Sequence, residues 1–301
     1  MHQKTTNPHA SVHALFQQLV THFDPEDGVI WLDMQSQPRP CFTPQLLDEL
    51  RKYQRTLENQ GGRLKHDGVL QTVHYQVLTS SLPGIFNLGG DLERFLHWIH
   101  LRDRGALAAY ARACIDVLYP NAVNYQLPIT TIALVRGQAL GGGFEAALSS
   151  SVIIAEASAQ LGLPEILFNL FPGMGAYNLL CRRVTPHQAE QMILSGRLYT
   201  AQELFELGIV DVVADDGAGV AAVDEYIRRH RRQRNGYLAL QRARQRAHRI
   251  SYQELIDITD IWVDAALTLS PKDLKVIERL VRAQNRVTAP AVASGRAAQS
   301  A

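Results

Sequence analysis

Three consecutive glycines, Gly141-Gly142-Gly143, stand between the run Ile129–Val135 and a stretch that reads as helix as far as Ser149. The β-branched content of Ile129–Val135 predicts a buried strand, so strand, glycine turn and helix should follow one another directly. Glycines let bare backbone N–H groups approach a ligand closely. Phe144 and Glu145 come immediately after the turn, and a second glutamate, Glu165, follows Gly162-Leu163-Pro164. A carboxyl among apolar neighbours is costly to ionise, which raises its pKa towards neutrality. That is the condition for acid–base work near pH 7. Two such carboxyls beside bare N–H donors suit enolate chemistry on a carbonyl or thioester.

Around this segment, strands alternate with helices, which predicts an α/β layered core. Gly28–Met34 reads as a strand, and Thr43-Pro44 opens a helix with Thr43 as its N-cap and Pro44 in its first turn. Val73 to Leu78 alternates as a strand, and one long helix is expected from Leu92 to Leu118, stopped by Pro120-Asn121. Val152–Ala155 is a further buried strand, and helices are expected near 175–183, 186–195 and 200–207, then a short strand over Ile209–Val213. From Gly217 the chain reads as helix: Val220–Arg232, a break at Asn235-Gly236, Leu238–Arg249, Tyr252–Leu269 and Lys272–Gln284. The expected organisation is a loose N-terminus (1–12), a core (13–216), a helical region (217–286) and a disordered tail (287–301).

The 301 residues are 46% hydrophobic and 20% charged, the composition of a soluble globular protein with ample core. A net charge of +1 gives no overall pull towards nucleic acid or membrane. Cys41, Cys114 and Cys181 lie far apart, as expected of reduced thiols in a cytoplasmic protein. No signal-peptide pattern, membrane-length apolar run or metal-ligand spacing is visible.

Gly141-x-Gly143-x-x-Ala146 also fits a dinucleotide-binding turn. Against it, Glu145 would put negative charge where a pyrophosphate sits, and Glu165 follows Pro164 rather than ending the second strand. Each glutamate also has a plainer reading, Glu145 as an exposed helix residue and Glu165 as a helix-start acid favoured by the macrodipole. Asp91 could simply cap the helix that follows it.

Three blocks taken together resemble the enoyl-CoA hydratase/isomerase (crotonase) superfamily: Phe86-Asn87-Leu88-Gly89-Gly90-Asp91-Leu92, Gly137 to Glu145, and Leu163-Pro164-Glu165-Ile166 through Gly175. The run Gly196 to Asp211 is similar to that family as well, and the resemblance covers roughly residues 84–215. It implies a spiral of ββα units with an α-helical C-terminal region that trimerises. It also implies two backbone N–H donors around the thioester oxygen, by position Leu88 or Gly89 and Gly142. Glu145 and Glu165 match the family's acid–base glutamates. No cofactor or metal is implied.

Ordinary hydratases differ at Pro38-Arg39-Pro40-Cys41-Phe42 and in the Asn87–Asp91 turn. With Gly89 to Phe95 and the Trp262-bearing tail, these features look closest to diffusible signal factor synthases. That branch implies dehydration of a 3-hydroxyacyl-acyl carrier protein, then hydrolysis to a free cis-2-unsaturated fatty acid used in quorum sensing. Its implied partners are acyl carrier protein (or CoA) thioesters and a cognate sensor protein. Met174, Trp262 and Leu280 are the expected acyl-pocket residues, with ordinary core packing as their plainer reading. Arg228 to Arg234, with the arginines at 242, 244, 246 and 249, could steer an acidic carrier protein or form a solvated helix face. The alternatives are an enoyl-CoA hydratase or isomerase of fatty-acid metabolism, and a non-catalytic crotonase-like binding protein.

Overall fold

The structure is a computed structural model, and it describes residues 16–293. The expected loose N-terminus (1–12) lies outside these residues, as does the tail beyond Ala293. In chain order the strands are β1 (Leu19–Asp24), β2 (Val29–Met34), β3 (Arg63–His66), β4 (Val69–Thr72), β5 (Tyr75–Thr79), β6 (Ile85–Asn87), β7 (Thr130–Val135), β8 (Gln138–Leu140), β9 (Val152–Glu156), β10 (Gln160–Gly162), β11 (Leu198–Thr200) and β12 (Val212–Ala214). The helices are α1 (Pro44–Asn59), α2 (Leu92–His100), α3 (Arg104–Ala122), α4 (Gly142–Leu148), α5 (Ala176–Leu180), α6 (Pro186–Ser195), α7 (Ala201–Glu206), α8 (Gly219–Arg231), α9 (Arg234–Ala247), α10 (Tyr252–Ala266) and α11 (Pro271–Ala293).

Six strands form one sheet in the order β1-β2-β5-β7-β9-β12, and four form a second in the order β11-β10-β8-β6. The chain steps from the large sheet to the small one three times, at β5–β6, β7–β8 and β9–β10, and each step leads into helical structure. This is the expected spiral of ββα units. Neighbours from β2 to β12 run parallel, and every residue of β5, β7 and β9 is buried. Parallel strands covered on both faces need not alternate apolar with polar. That is why Gln76 sits inside, accepting hydrogen bonds from the Tyr53 and Tyr125 hydroxyls at 3.1 and 2.7 Å.

Three apolar clusters hold these layers. The largest lies between the sheets and α1 and α3. A second joins α2, α3, α10, α11 and the 3₁₀ turn Pro164–Phe168. The third packs Val223 and Ile227 of α8 on the outer face of the large sheet.

The helix expected over 92–118 is two helices. Arg102 takes a left-handed φ of 52°, and Asp103 then caps α3 by accepting from Ala106 N–H at 2.9 Å. Pro120 does not stop α3, which runs two residues further to Ala122. Only the last turn lacks a donor there, so the cost is small. Asn235-Gly236 likewise falls inside α9 and breaks nothing, and α11 continues past Gln284 into the expected tail.

Candidate active site

α4 begins where the glycine turn ends. Gly141 is its N-cap, with φ 52° and ψ −122°, a conformation open to glycine. One turn on, Glu145 points into the protein and is 1% exposed. Its Oε1 accepts N–H bonds from Met174 and Ala176, both at 2.9 Å. The Pro172–Gly175 turn therefore wraps one oxygen of the carboxyl, and Thr259 Oγ1 of α10 pins that turn by donating to Gly173 O at 3.1 Å. The other oxygen, Oε2, is buried without a partner.

Glu165 arrives from the Pro164–Phe168 turn. A Cβ on Gly141 would overlap Glu165 Oε1, so this carboxyl lies directly against the glycine turn that opens α4. The residue as a whole is partly exposed, but its Oε2 is buried and unpartnered like that of Glu145. Burial raises the Glu145 carboxyl to about 8, with the Glu165 charge as second cause, against the opposing pull of the two N–H bonds. Burial raises Glu165 to about 7. Desolvation wins at both positions because neither has a cation to compensate it.

The second glycine turn meets the first backbone to backbone. A Cβ on Gly89 would stand 2.8 Å from Leu140 O and 3.1 Å from Gly142 N, and one on Gly143 would overlap Asn87 O. The N–H donors differ from expectation. Leu88 N–H donates to Pro40 O at 2.8 Å, and Gly89 N–H donates to Asn87 Oδ1 at 2.8 Å. Both are committed inside the protein, which removes them as oxyanion donors. The next N–H, that of Gly90, has no acceptor among the described residues, and neither has that of Gly142 at the first position of α4. The turn is held by Tyr110, whose hydroxyl accepts from Asp91 N at 2.8 Å and donates to Phe42 O at 2.7 Å. Asp91 caps α2 and is paired with Arg39 at 2.8 Å. The Gly-Gly pair was a usable signal for Gly90, whereas Tyr110 and Thr259 look like ordinary helix residues in the sequence.

The expected acyl-pocket residues are separated. Met174 lines a cavity with Gly142 and Ala146, beside Glu145. Trp262 and Leu280 belong to the C-terminal apolar cluster instead, where Trp262 packs on Gly173 and stacks on Phe95 at 5.1 Å. None of the arginines from 228 to 249 lines that cavity; Arg231 is paired with Asp27 at 2.8 Å and Arg228 with Glu225. Among the described residues no His, Cys, Asp and Glu group could hold a metal ion, and no helix is long and apolar enough to cross a membrane.

Two glycine turns in contact and two buried carboxyls on a ββα spiral define a class, and comparison with known proteins agrees. The family model for enoyl-CoA hydratase/isomerase matches residues 27–282, and the chain belongs to that family. It is 34% identical over 152 residues to the mitochondrial methylglutaconyl-CoA hydratase of Rattus norvegicus, covering 50% of this chain and 45% of that protein. It is 31% identical over 149 residues to the fatty acid oxidation complex subunit alpha of Pseudomonas aeruginosa (strain LESB58), covering 49% of this chain and 20% of that one. The chain thus spans less than half the length of these relatives. Enoyl-CoA hydratase from Bacillus halodurans has the same fold, with a TM-score of 0.72 at 19% identity over 87% of this chain and 100% of that one. DspI of Pseudomonas aeruginosa does too, with a TM-score of 0.64 at 22% identity over 90% and 98%.

Proposed function

We propose that this protein interconverts 2-enoyl and 3-hydroxyacyl thioesters by acid–base catalysis. The observation that carries the proposal is the pair of buried, unpartnered carboxyl oxygens, Glu145 Oε2 and Glu165 Oε2, beside two uncommitted N–H groups. A buried polar atom without a partner is costly, and a thioester with water or a 3-hydroxyl would supply the missing contacts. The thioester oxygen accepts from Gly90 and Gly142 N–H; each donor contributes about 3 kcal/mol to the enolate-like transition state.

In the dehydrating direction, ionised Glu165 takes the C2 proton and the electron pair moves into the thioester as enolate. The pair then returns to form the C2=C3 bond while the C3–O bond breaks. Protonated Glu145 gives its proton to the departing hydroxyl, which leaves as water. Hydration is the reverse. Burial raises both carboxyls towards neutrality and the Glu165 charge opposes ionisation of Glu145, so one member of the pair can carry a proton while the other is ionised.

A second reading adds thioester hydrolysis and release of a free cis-2-unsaturated acid, with acyl carrier protein as carrier and a trimeric enzyme that binds a sensor protein. Its ground is the family resemblance of two segments, 38–42 and 89–95, which Arg39 joins by pairing with Glu93 at 2.6 Å and with Asp91 at 2.8 Å. The test is to supply 3-hydroxyacyl groups on CoA and on carrier protein and to identify products by mass and isomer. Enoyl thioester alone supports the hydratase reading, free unsaturated acid supports the second, and neither product from either carrier rejects both.

A further inference from the structure

Two apolar regions lie near the glutamates. In the C-terminal one, Phe95, Phe168, Val263 and Ile277 are buried in a single apolar cluster. The other is a cavity of about 40 Å³ that begins at Gly142 and Met174 and runs inward between α1 and α3, past Leu47, Leu50 and Val117. Its walls are apolar and its floor is polar.

That floor is a closed hydrogen-bonded set with one exception. Gln76 Nε2 donates to Asn121 Oδ1 at 2.9 Å, and Asn121 Nδ2 donates to Ser149 Oγ at 2.9 Å. Gln54 Nε2 donates to Val117 O at 2.7 Å, but Gln54 Oε1 is buried with no partner. Gln54 is 3% exposed, lines the cavity, and plays no part in the acid–base chemistry.

We infer that the acyl chain enters this cavity and that Gln54 sets its maximum length. The inference rests on the acyl-thioester reading above. Each methylene buried along the walls strengthens binding roughly fourfold. The gain ends at the floor, where a methyl group would cover an amide oxygen without giving it a hydrogen bond. Room for roughly three water-sized occupants means the limit comes within a few carbons of the thioester.

The experiment uses the full chain and trans-2-enoyl thioesters from crotonyl to dodecenoyl, reading kcat/KM for each length relative to crotonyl in the same variant. The wild type should rise with length and then drop about tenfold at one carbon number. Gln54→Ala should move that drop to longer chains, and Val117→Phe should move it to shorter ones. Trp262→Ala should leave it in place. A drop that stays put in both cavity variants, or that moves with Trp262→Ala alone, overturns the inference while sparing the acyl-thioester reading. Where one cavity variant fails to fold, the other decides. A wild type that turns over no enoyl thioester at all sinks the reading and this inference together.

Discussion

Glu165 rests its carboxyl on the bare Cα face of Gly141: a Cβ there would overlap Oε1, and the φ of 52° already disfavours any side chain. The glycine serves both the turn and the room beside the proposed base. Gly141→Ala should therefore lower kcat by more than about 100-fold, since a misplacement of about 1 Å costs that much. Steady-state kinetics checks this, with circular dichroism to confirm the fold. An alanine variant of near wild-type rate would show that the base does not need this contact.

The pH profile follows from the unequal pair. In the proposed mechanism the working form has Glu165 ionised and Glu145 protonated. Activity should rise as pH passes about 7 and fall as it passes about 8. The two limbs belong to the coupled pair rather than to isolated residues. A kcat/KM profile flat from pH 6 to 9 would contradict the acid–base assignment.

Stability should show the opposite side of the same burial. Both carboxyls are raised in the folded protein, so it binds more protons than the unfolded chain once pH exceeds the ordinary carboxylate range. Stability then falls with rising pH until the folded groups ionise, near 7 to 8. Glu165→Gln cannot ionise. It should be more stable than wild type by roughly 1–2 kcal/mol at pH 8, with the difference vanishing near pH 4. Thermal unfolding at the two pH values measures it.

The proposed oxyanion donor at Gly142 can be isolated because it occupies the first position of α4, where proline is tolerated. Gly142→Ala adds a Cβ that pushes on Met174 Cε, the mobile end of its side chain, but keeps the N–H. Gly142→Pro adds that Cβ together with the Cγ and Cδ of its ring, and removes the N–H. The proline variant should be slower than the alanine variant by about 10²–10³ in kcat. Equal rates would mean the N–H does not touch the developing charge.

Much of this site was legible in the sequence, because glycines and prolines punctuate the chain at the turns that matter. Thr43-Pro44 starts α1 as read, and the runs around Glu145 and Glu165 meet as the family resemblance implied. The donor register at Leu88 to Gly90 was not legible. It depends on which N–H groups Pro40 O and the Asn87 side chain capture, and those acceptors are tertiary or conformational choices. The proposed acyl cavity was hidden for a similar reason. Leu47, Leu50 and Gln54 stand at helical spacing on α1, and nothing in that period tells a packed face from one lining a cavity. The resemblance points to Trp262 and Leu280 through the approach of the C-terminal helices, yet both pack into the C-terminal apolar cluster, Trp262 against Phe95 and Gly173.

The most direct test of the two-carboxyl account is single-turnover conversion of one enoyl thioester by wild type, Glu145→Gln and Glu165→Gln at pH 7.5, each confirmed folded. The account predicts that the wild type forms the 3-hydroxyacyl thioester and that each glutamine variant is slower by about 10²–10⁴. Full-rate conversion by either variant would contradict it.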